Sequence, residues 1–166
     1  FSRLTEIASE TAIEVKAMAA RPIIIDCDPG QDDAIAILMA LASPEELHVL
    51  GITCVAGNVP LAHTEKNARR ICELAGRLDM PVFAGCPRPL IQPLRTATHV
   101  HGGTGLDGCG LPEETAMALQ GRHAVDYIVD PCLSGEDHAV TICLLGPMTN
   151  LAVAIVKEPR IVPKIE

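Results

Sequence analysis

Aromatic residues are nearly missing from this 166-residue chain: Phe1, Phe83 and Tyr127 stand alone, and there is no Trp. Stacking of a flat ligand on an indole is therefore excluded within this sequence, and the core must be built from Ile, Leu, Val and Ala. Basic residues are also short, 13 Lys and Arg against 21 Asp and Glu, for a net charge of -8. That balance argues against a nucleic-acid surface or an anionic-membrane surface, and favours a small neutral or cation-assisted substrate. No apolar run reaches the length of a membrane span. The seven cysteines, Cys27, Cys54, Cys72, Cys86, Cys109, Cys132 and Cys143, include no C-x-x-C pair. An odd, scattered set among apolar residues reads as reduced thiols in a cytoplasmic protein, not as a disulfide framework. Internal repeats and linkers are absent as well.

What is present is enough for a domain. Hydrophobic residues make up 48% of the chain, which excludes disorder as the general state. Residues 1–20 read as a weak amphipathic extension (Leu4, Ile7, Ala8, Thr11, Val15, Met18), of uncertain origin, without the long apolar stretch of a secretory signal. From residue 21 onward, strand and helix patterns alternate. Ile23 to Cys27 is a continuous apolar run, as in a parallel strand buried on both faces. Gln31 to Ala42 predicts a helix, apolar nearly all round and hence buried, stopped by Ser43-Pro44. Leu47 to Val55 predicts a strand. Leu61 to Ala75 predicts a helix with its stripe at 61, 64, 68, 71, 72 and 75, ended by Gly76. Pro81 to Ala84 predicts a strand, Arg122 to Cys132 a helix, Ala139 to Leu145 a strand, and Met148 to Val156 a helix with Pro147 near its start. This order predicts an α/β fold, an open and mostly parallel sheet with helices on both faces and right-handed crossovers, Rossmann-like in its core. Residues 21–166 read as one domain. The tail from Arg160 to Glu166 does not read as a natural end, since a parallel sheet that has just completed a helix returns to another strand.

Four carboxylates, Asp26, Asp28, Asp32 and Asp33, fall within eight residues where the first strand turns into the first helix. Two carboxylates ~5 Å apart repel by roughly 1 kcal/mol even in water, so the cluster requires compensation. Oxygen-only donors at this spacing suit a hard cation, Ca²⁺ or Mg²⁺, rather than zinc. A lone D-x-D after a strand is often only a turn or a helix cap, but four Asp around Pro29-Gly30 are harder to explain that way. An EF-hand loop fits poorly, because its glycine falls one position early and no Glu closes the loop. A haloacid-dehalogenase-type phosphatase would prefer Gly-Thr where Pro29-Gly30 stands. Asp32 and Asp33 lie in the first helical turn, where the helix dipole favours their ionised forms by roughly 0.3–1 kcal/mol each. In an open α/β sheet a ligand sits beyond the carboxyl ends of the strands. Asp26 to Asp33, Gly57-Asn58 and Leu145-Gly146 all lie there. The long Gly- and Pro-rich stretch from Gly85 to Pro112 would be functional on length alone.

Asp26-x-Asp28-Pro29-Gly30-x-Asp32-Asp33-Ala34 resembles the signature of the nucleoside hydrolases, the inosine–uridine-preferring N-ribohydrolase family. The match continues in order through Gly57-Asn58, His101-Gly102-x-Thr104-Gly105-Leu106-Asp107-Gly108 and Leu145-Gly146-Pro147-Met148-Thr149-Asn150-Leu151-Ala152, covering residues 22 to about 165. The resemblance implies Ca²⁺-dependent hydrolysis of the N-glycosidic bond of ribonucleosides to ribose and free base, as in nucleoside salvage. It implies Asp28 as general base and calcium ligand, Asp33 as a bidentate calcium ligand, and the Leu145 carbonyl as a further ligand. A Thr often stands at the Leu145 position, and a carbonyl ligand tolerates the change. Asp32 would hold a ribose hydroxyl and Asn58 would lie near ribose and attacking water. His101 would sit at the base-binding end, as a catalytic contributor or in base recognition, and Asp26 would order the loop by hydrogen bonds. Asn150 reads as a first-turn or packing residue. His99 reads as an exposed loop residue, and His48, His63, His123 and His138 as surface positions without a role. A small-molecule ribonucleoside is the expected partner, and a homo-oligomer, dimer or tetramer, the expected assembly. The family pattern runs on past Glu166, with further ribose, base and calcium residues there. A truncated or non-catalytic paralogue that binds nucleoside or a partner chain is the alternative expectation.

Overall fold

The computed structural model describes residues 19–166. The expected amphipathic extension therefore lies outside the described residues, except for Ala19 and Ala20, which carry no helix. Four strands, β1 (Arg21–Cys27), β2 (Leu47–Cys54), β3 (Val82–Ala84) and β4 (Thr141–Leu144), form one sheet in the order β3-β2-β1-β4. Every pairing is parallel. The helices are α1 (Gln31–Leu41), α2 (Leu61–Leu74), the single turn α3 (Thr98–His101), α4 (Ala124–Ser134) and α5 (Thr149–Lys157), followed by a 3-10 turn over Pro159–Lys164.

Alternation along β1 explains the two layers. Ile23, Ile25 and Cys27 face a core shared with Ile37 and Leu41 of α1 and with Ala68, Ile71 and Cys72 of α2. Ile24 faces the opposite core, with Val125, Ile128 and Cys132 of α4 and Ala154 of α5. β1 is thus buried on both sides, which accounts for its unbroken apolar run. Two of the scarce aromatics are spent in packing: Phe83 and Tyr127 stack with ring centroids 3.8 Å apart. Among the described residues, no helix is long and apolar enough to cross a membrane. All seven cysteines are free thiols.

Two expectations need correction. Helix α1 is not buried all round: Ile37, Ala40 and Leu41 are covered, but Ile35 is 59% and Met39 66% exposed. A helix lying on a sheet presents only one stripe to it, whatever its composition. The stretch Gly85 to Pro112 is not pure loop, because Thr98–His101 closes one helical turn. The tail does return toward the sheet, where Ile165 bridges in parallel to Val140, just before β4.

Chain order now positions the ligand cleft. The chain runs outward from β1 through β2 to β3, then crosses back to β4 on the other side of β1. The carboxyl ends of β1 and β4 flank that reversal, the place where open α/β sheets leave a crevice.

Candidate active site

Asp28 leaves the end of β1 and is only 4% exposed. Its Oδ2 accepts the backbone N–H of Asn58 at 2.6 Å, and its own carbonyl accepts the Asn58 side-chain amide at 3.0 Å. Glycines make room for it. A methyl at Gly57 would fall 2.0 Å from Asp28 Oδ2, and one at Gly146 would fall 2.7 Å from Oδ1. The carboxylate therefore has backbone from the turns after β2 and β4 pressed against both of its oxygens, and any side chain at either glycine would displace it. Burial pushes Asp28 up to about 7; the Asn58 N–H opposes that rise, and the nearby Asp33 and Asp32 charges add to it.

Asp33 is buried in the first turn of α1. Burial raises its pKa, while the Gly30 N–H donated to Oδ2 at 3.4 Å works against the rise. Its Oδ1 is buried without a hydrogen-bond partner among the described residues. Leaving a buried acceptor unpaired costs about 1–3 kcal/mol, so such an oxygen asks for a ligand. Asp32 is exposed on the adjoining lip. Asp32, Asp33, Ala36 and Leu145 line a cleft of about 160 Å³. The structure thus brings Leu145, at the end of β4, beside the α1 carboxylates. The Leu145 N–H is tied to the Asp26 carbonyl at 2.8 Å.

Asp26 has a structural role, but not the expected one. Its Oδ1 accepts from Thr53 Oγ1 at 2.6 Å and from Asn150 Nδ2 at 2.7 Å, so it ties β1 to β2 and α5 rather than ordering its own loop. Burial raises it to about 6 against those two hydrogen bonds, and its Oδ2 has no partner among the described residues. Asn150, fully buried, also donates to the Cys54 carbonyl at 3.1 Å and accepts the Cys86 N–H at 2.8 Å. It is a clamp across three strand ends, which is more than a first-turn residue.

His101 lies at the end of α3, and its Nδ1 pairs with Gln31 Oε1. Its ring sits against Gly30, so that a methyl there would be 2.5 Å from Nδ1. The chemistry-bearing loop and the long loop therefore meet through Gly30, Gln31 and His101. Asn67 of α2 makes the second joint: its Nδ2 donates to the Pro29 carbonyl at 3.1 Å and the Thr104 carbonyl at 2.7 Å. Sequence reasoning passed over Asn67. The available signal was a polar residue on the same helical face as 64, 68 and 71. Asp107 is a turn residue, accepting the Gly103 N–H at 2.7 Å and that of Thr104 at 3.2 Å. His48, His99 and His138 are exposed, and His123 caps α4 by accepting the Val125 N–H.

No three His, Cys, Asp or Glu side chains converge as a metal-binding group among the described residues. The donor set is smaller: two buried carboxylates, Asp28 and Asp33, one of them with an unpartnered oxygen, next to the end of β4. Oxygen donors of this kind fit Ca²⁺, which also takes carbonyls and waters, and not zinc. A larger cavity, about 360 Å³, lies on α2 and the long loop. Lys66 pairs there with Glu114, and Arg70 donates to the Leu111 carbonyl and Asn67 Oδ1 while its Nε has no partner among the described residues; this cavity shares no lining residue with the carboxylate cleft.

Fold and cleft together define a parallel α/β protein whose switch-point crevice is built from buried carboxylates. The chain belongs to the inosine-uridine preferring nucleoside hydrolase family, whose model matches residues 23–166. An inosine-uridine preferring nucleoside hydrolase of Leishmania major is 44% identical over 146 residues, 88% of this chain and 46% of that protein. A pyrimidine-specific ribonucleoside hydrolase of Escherichia coli is 45% identical over 148 residues, 89% of this chain and 46% of that protein. Among solved structures, a plant nucleoside hydrolase superposes with a TM-score of 0.80 at 39% identity, over 87% of this chain and 45% of that one. The chain spans about half the length of the curated relatives it matches.

Proposed function

We propose that this protein hydrolyses the N-glycosidic bond of ribonucleosides, with Ca²⁺ held at Asp28, Asp33 and the Leu145 carbonyl. The observation that carries the reading is Asp28 itself: a buried carboxylate at the switch point, fixed by the Asn58 N–H and raised to about 7, beside the unpartnered oxygen of Asp33. Burial raises Asp28 in the metal-free protein, and a bound calcium would draw it back toward the ionised form that a base needs. When bound, calcium would supply fixed positive charge that orders water and sugar hydroxyls, and that favours the ionised form of both carboxylates.

Asp28 takes a proton from water as the water oxygen bonds to the anomeric carbon. The carbon–nitrogen bond breaks, its electron pair leaves with the base, and the base takes a proton from solvent or from His101. Positive charge builds on the sugar as the bond opens, and the surrounding carboxylates stabilise it. Asp32, on the exposed lip, accepts a ribose hydroxyl. Asn58 is fixed to Asp28 by two hydrogen bonds and positions the sugar against the attacking water. His101 faces the base end; with Nδ1 engaged by Gln31, proton exchange with the base would use Nε2.

Ribose release from inosine and uridine, measured with calcium and with a chelator, tests this reading. Release that calcium supports and chelator abolishes is expected. No release, or release unchanged in Asp28→Asn, overturns it.

A further inference from the structure

The turn Leu145–Met148, between β4 and α5, is fastened at both ends to one residue, Asp26. At its entrance the Asp26 carbonyl accepts two donors, the Leu145 N–H at 2.8 Å and the Gly146 N–H at 3.3 Å. Just past its exit, the Asn150 side-chain amide donates to Asp26 Oδ1 at 2.7 Å. Both side chains of that second clasp are fully buried. Asn150 is also anchored away from the turn, to the Cys54 carbonyl at 3.1 Å and the Cys86 N–H at 2.8 Å. The turn is thereby referenced to the end of β1 twice, and through Asn150 to the end of β2 and the segment after β3.

What the turn carries makes its placement matter. Leu145 lines the cleft with Asp32 and Asp33. Gly146 lies against Asp28: a methyl there would fall 2.7 Å from Asp28 Oδ1 and 3.0 Å from the Asp28 backbone nitrogen. Packing this close transmits displacement instead of absorbing it, so a shift of the turn moves Leu145 and Asp28 relative to each other.

We infer that Asp26 and Asn150 are positioning residues for a cation: by holding the turn at both ends, they set the Leu145 carbonyl against Asp28 and Asp33. The inference rests on the reading that these three groups hold calcium, and its test reads calcium affinity, not turnover. Thr53 provides the matched control. It is as buried as Asn150 and donates to the same oxygen, Asp26 Oδ1, at 2.6 Å. Among the described residues its hydroxyl bonds only to β1, so it fixes Asp26 without touching the turn.

Calcium is titrated by isothermal calorimetry into the parent, Asn150→Ala and Thr53→Val, each held below its own melting transition. Removing a partner that aims a metal ligand weakens the metal by about 10–100-fold, so Asn150→Ala should raise the calcium Kd by about tenfold or more and Thr53→Val by less than about threefold, although both melt earlier than the parent. If Asn150→Ala does not fold, Asn150→Ser is titrated in its place with the same expectation. An unchanged Kd in the Asn150 variant, or an equal loss in Thr53→Val, overturns the proposal and leaves the network a purely structural one. A parent that binds no calcium removes the calcium reading and this proposal together. If calcium binds with an affinity that depends on Asn150 while no nucleoside yields ribose, the positioning role stands and the hydrolase reading falls. If ribose is released and calcium affinity ignores Asn150, the hydrolase reading stands and the positioning role falls.

Discussion

The carboxyl end of β1 and the loop from Gly85 to Pro112 face the same crevice but are held in opposite ways. Asp26 and Asp28 each accept two or more hydrogen bonds through side chain or backbone, from residues on β2, α5 or the turn after β2. The loop touches the crevice at a few joints: Ala97 on Asn58, His101 on Gln31, Thr104 on Asn67. Reacting groups need to be held within a fraction of an ångström, so they sit on strand ends with their rotamers locked. Groups that read the variable part of a substrate tolerate a surface loop. The fold thus joins a strand end held by several buried hydrogen bonds to a loop held at three joints.

The strongest break in that comparison is Asp28→Asn. Ribose release should fall by about 10²–10⁴-fold, the usual contribution of a general base, while thermal stability holds or rises because a buried, repelling charge is removed. A stability loss of similar size would move Asp28 to the scaffold side. Next is Asn150→Ala, which strips partners from Asp26, Cys54 and Cys86 together. It should lower unfolding free energy by about 2–3 kcal/mol in chemical denaturation, as buried polar groups are left unpaired.

Calcium and pH sharpen the comparison further. Burial lifts Asp28 to about 7 and Asp26 to about 6 in the folded protein, well above an ordinary Asp near 4. Folding therefore favours the protonated forms. Their contribution is fully present below about pH 4 and is lost as pH rises through about 6 to 7, because the unfolded chain ionises there more readily. Metal-free protein should melt at falling temperature across that window. Calcium at a hundred times its pH 8 Kd should restore about 2.7 kcal/mol near pH 8, and the same calcium concentration much less near pH 5, where protons compete for the same oxygens. Scanning calorimetry at the two pH values reads the difference; a calcium effect of the same size at both would place the ion elsewhere. The smallest effect belongs to the loop. Asp107→Ala should leave the melting temperature unchanged, since the carboxylate is exposed, yet raise KM more than it lowers kcat by loosening the turn at Gly103 and Thr104.

Elements along the chain were legible because their causes are local. The isoleucines of β1 mark a strand buried on both faces, and Gly76, with φ +69, ends α2 where the sequence places a stop. Asp28 and Asp33 were legible as a pair because four carboxylates in one turn have no comfortable structural reading. The role of Asp26 was half legible: its partners Thr53 and Asn150 lie 27 and 124 residues away, and no local pattern announces such bonds. Asn67 and Gln31 stayed hidden for the same reason, each being a single polar residue whose partners come from another segment. The exposed outer face of α1 was misread because composition reports how apolar a helix is, not which side a sheet covers.

Sequence alone determined the order of strands and helices, the kind of donor atoms at the end of β1, and the family to which the chain belongs, since periodicity, turn chemistry and motif spacing are written along the backbone. Tertiary structure decided which carboxylate is boxed in by glycines, which oxygen is left without a partner, and which residues tie the long loop to the end of β1. Those properties depend on burial and on contacts between distant segments, and both exist only once the sheet has brought β4 back beside β1.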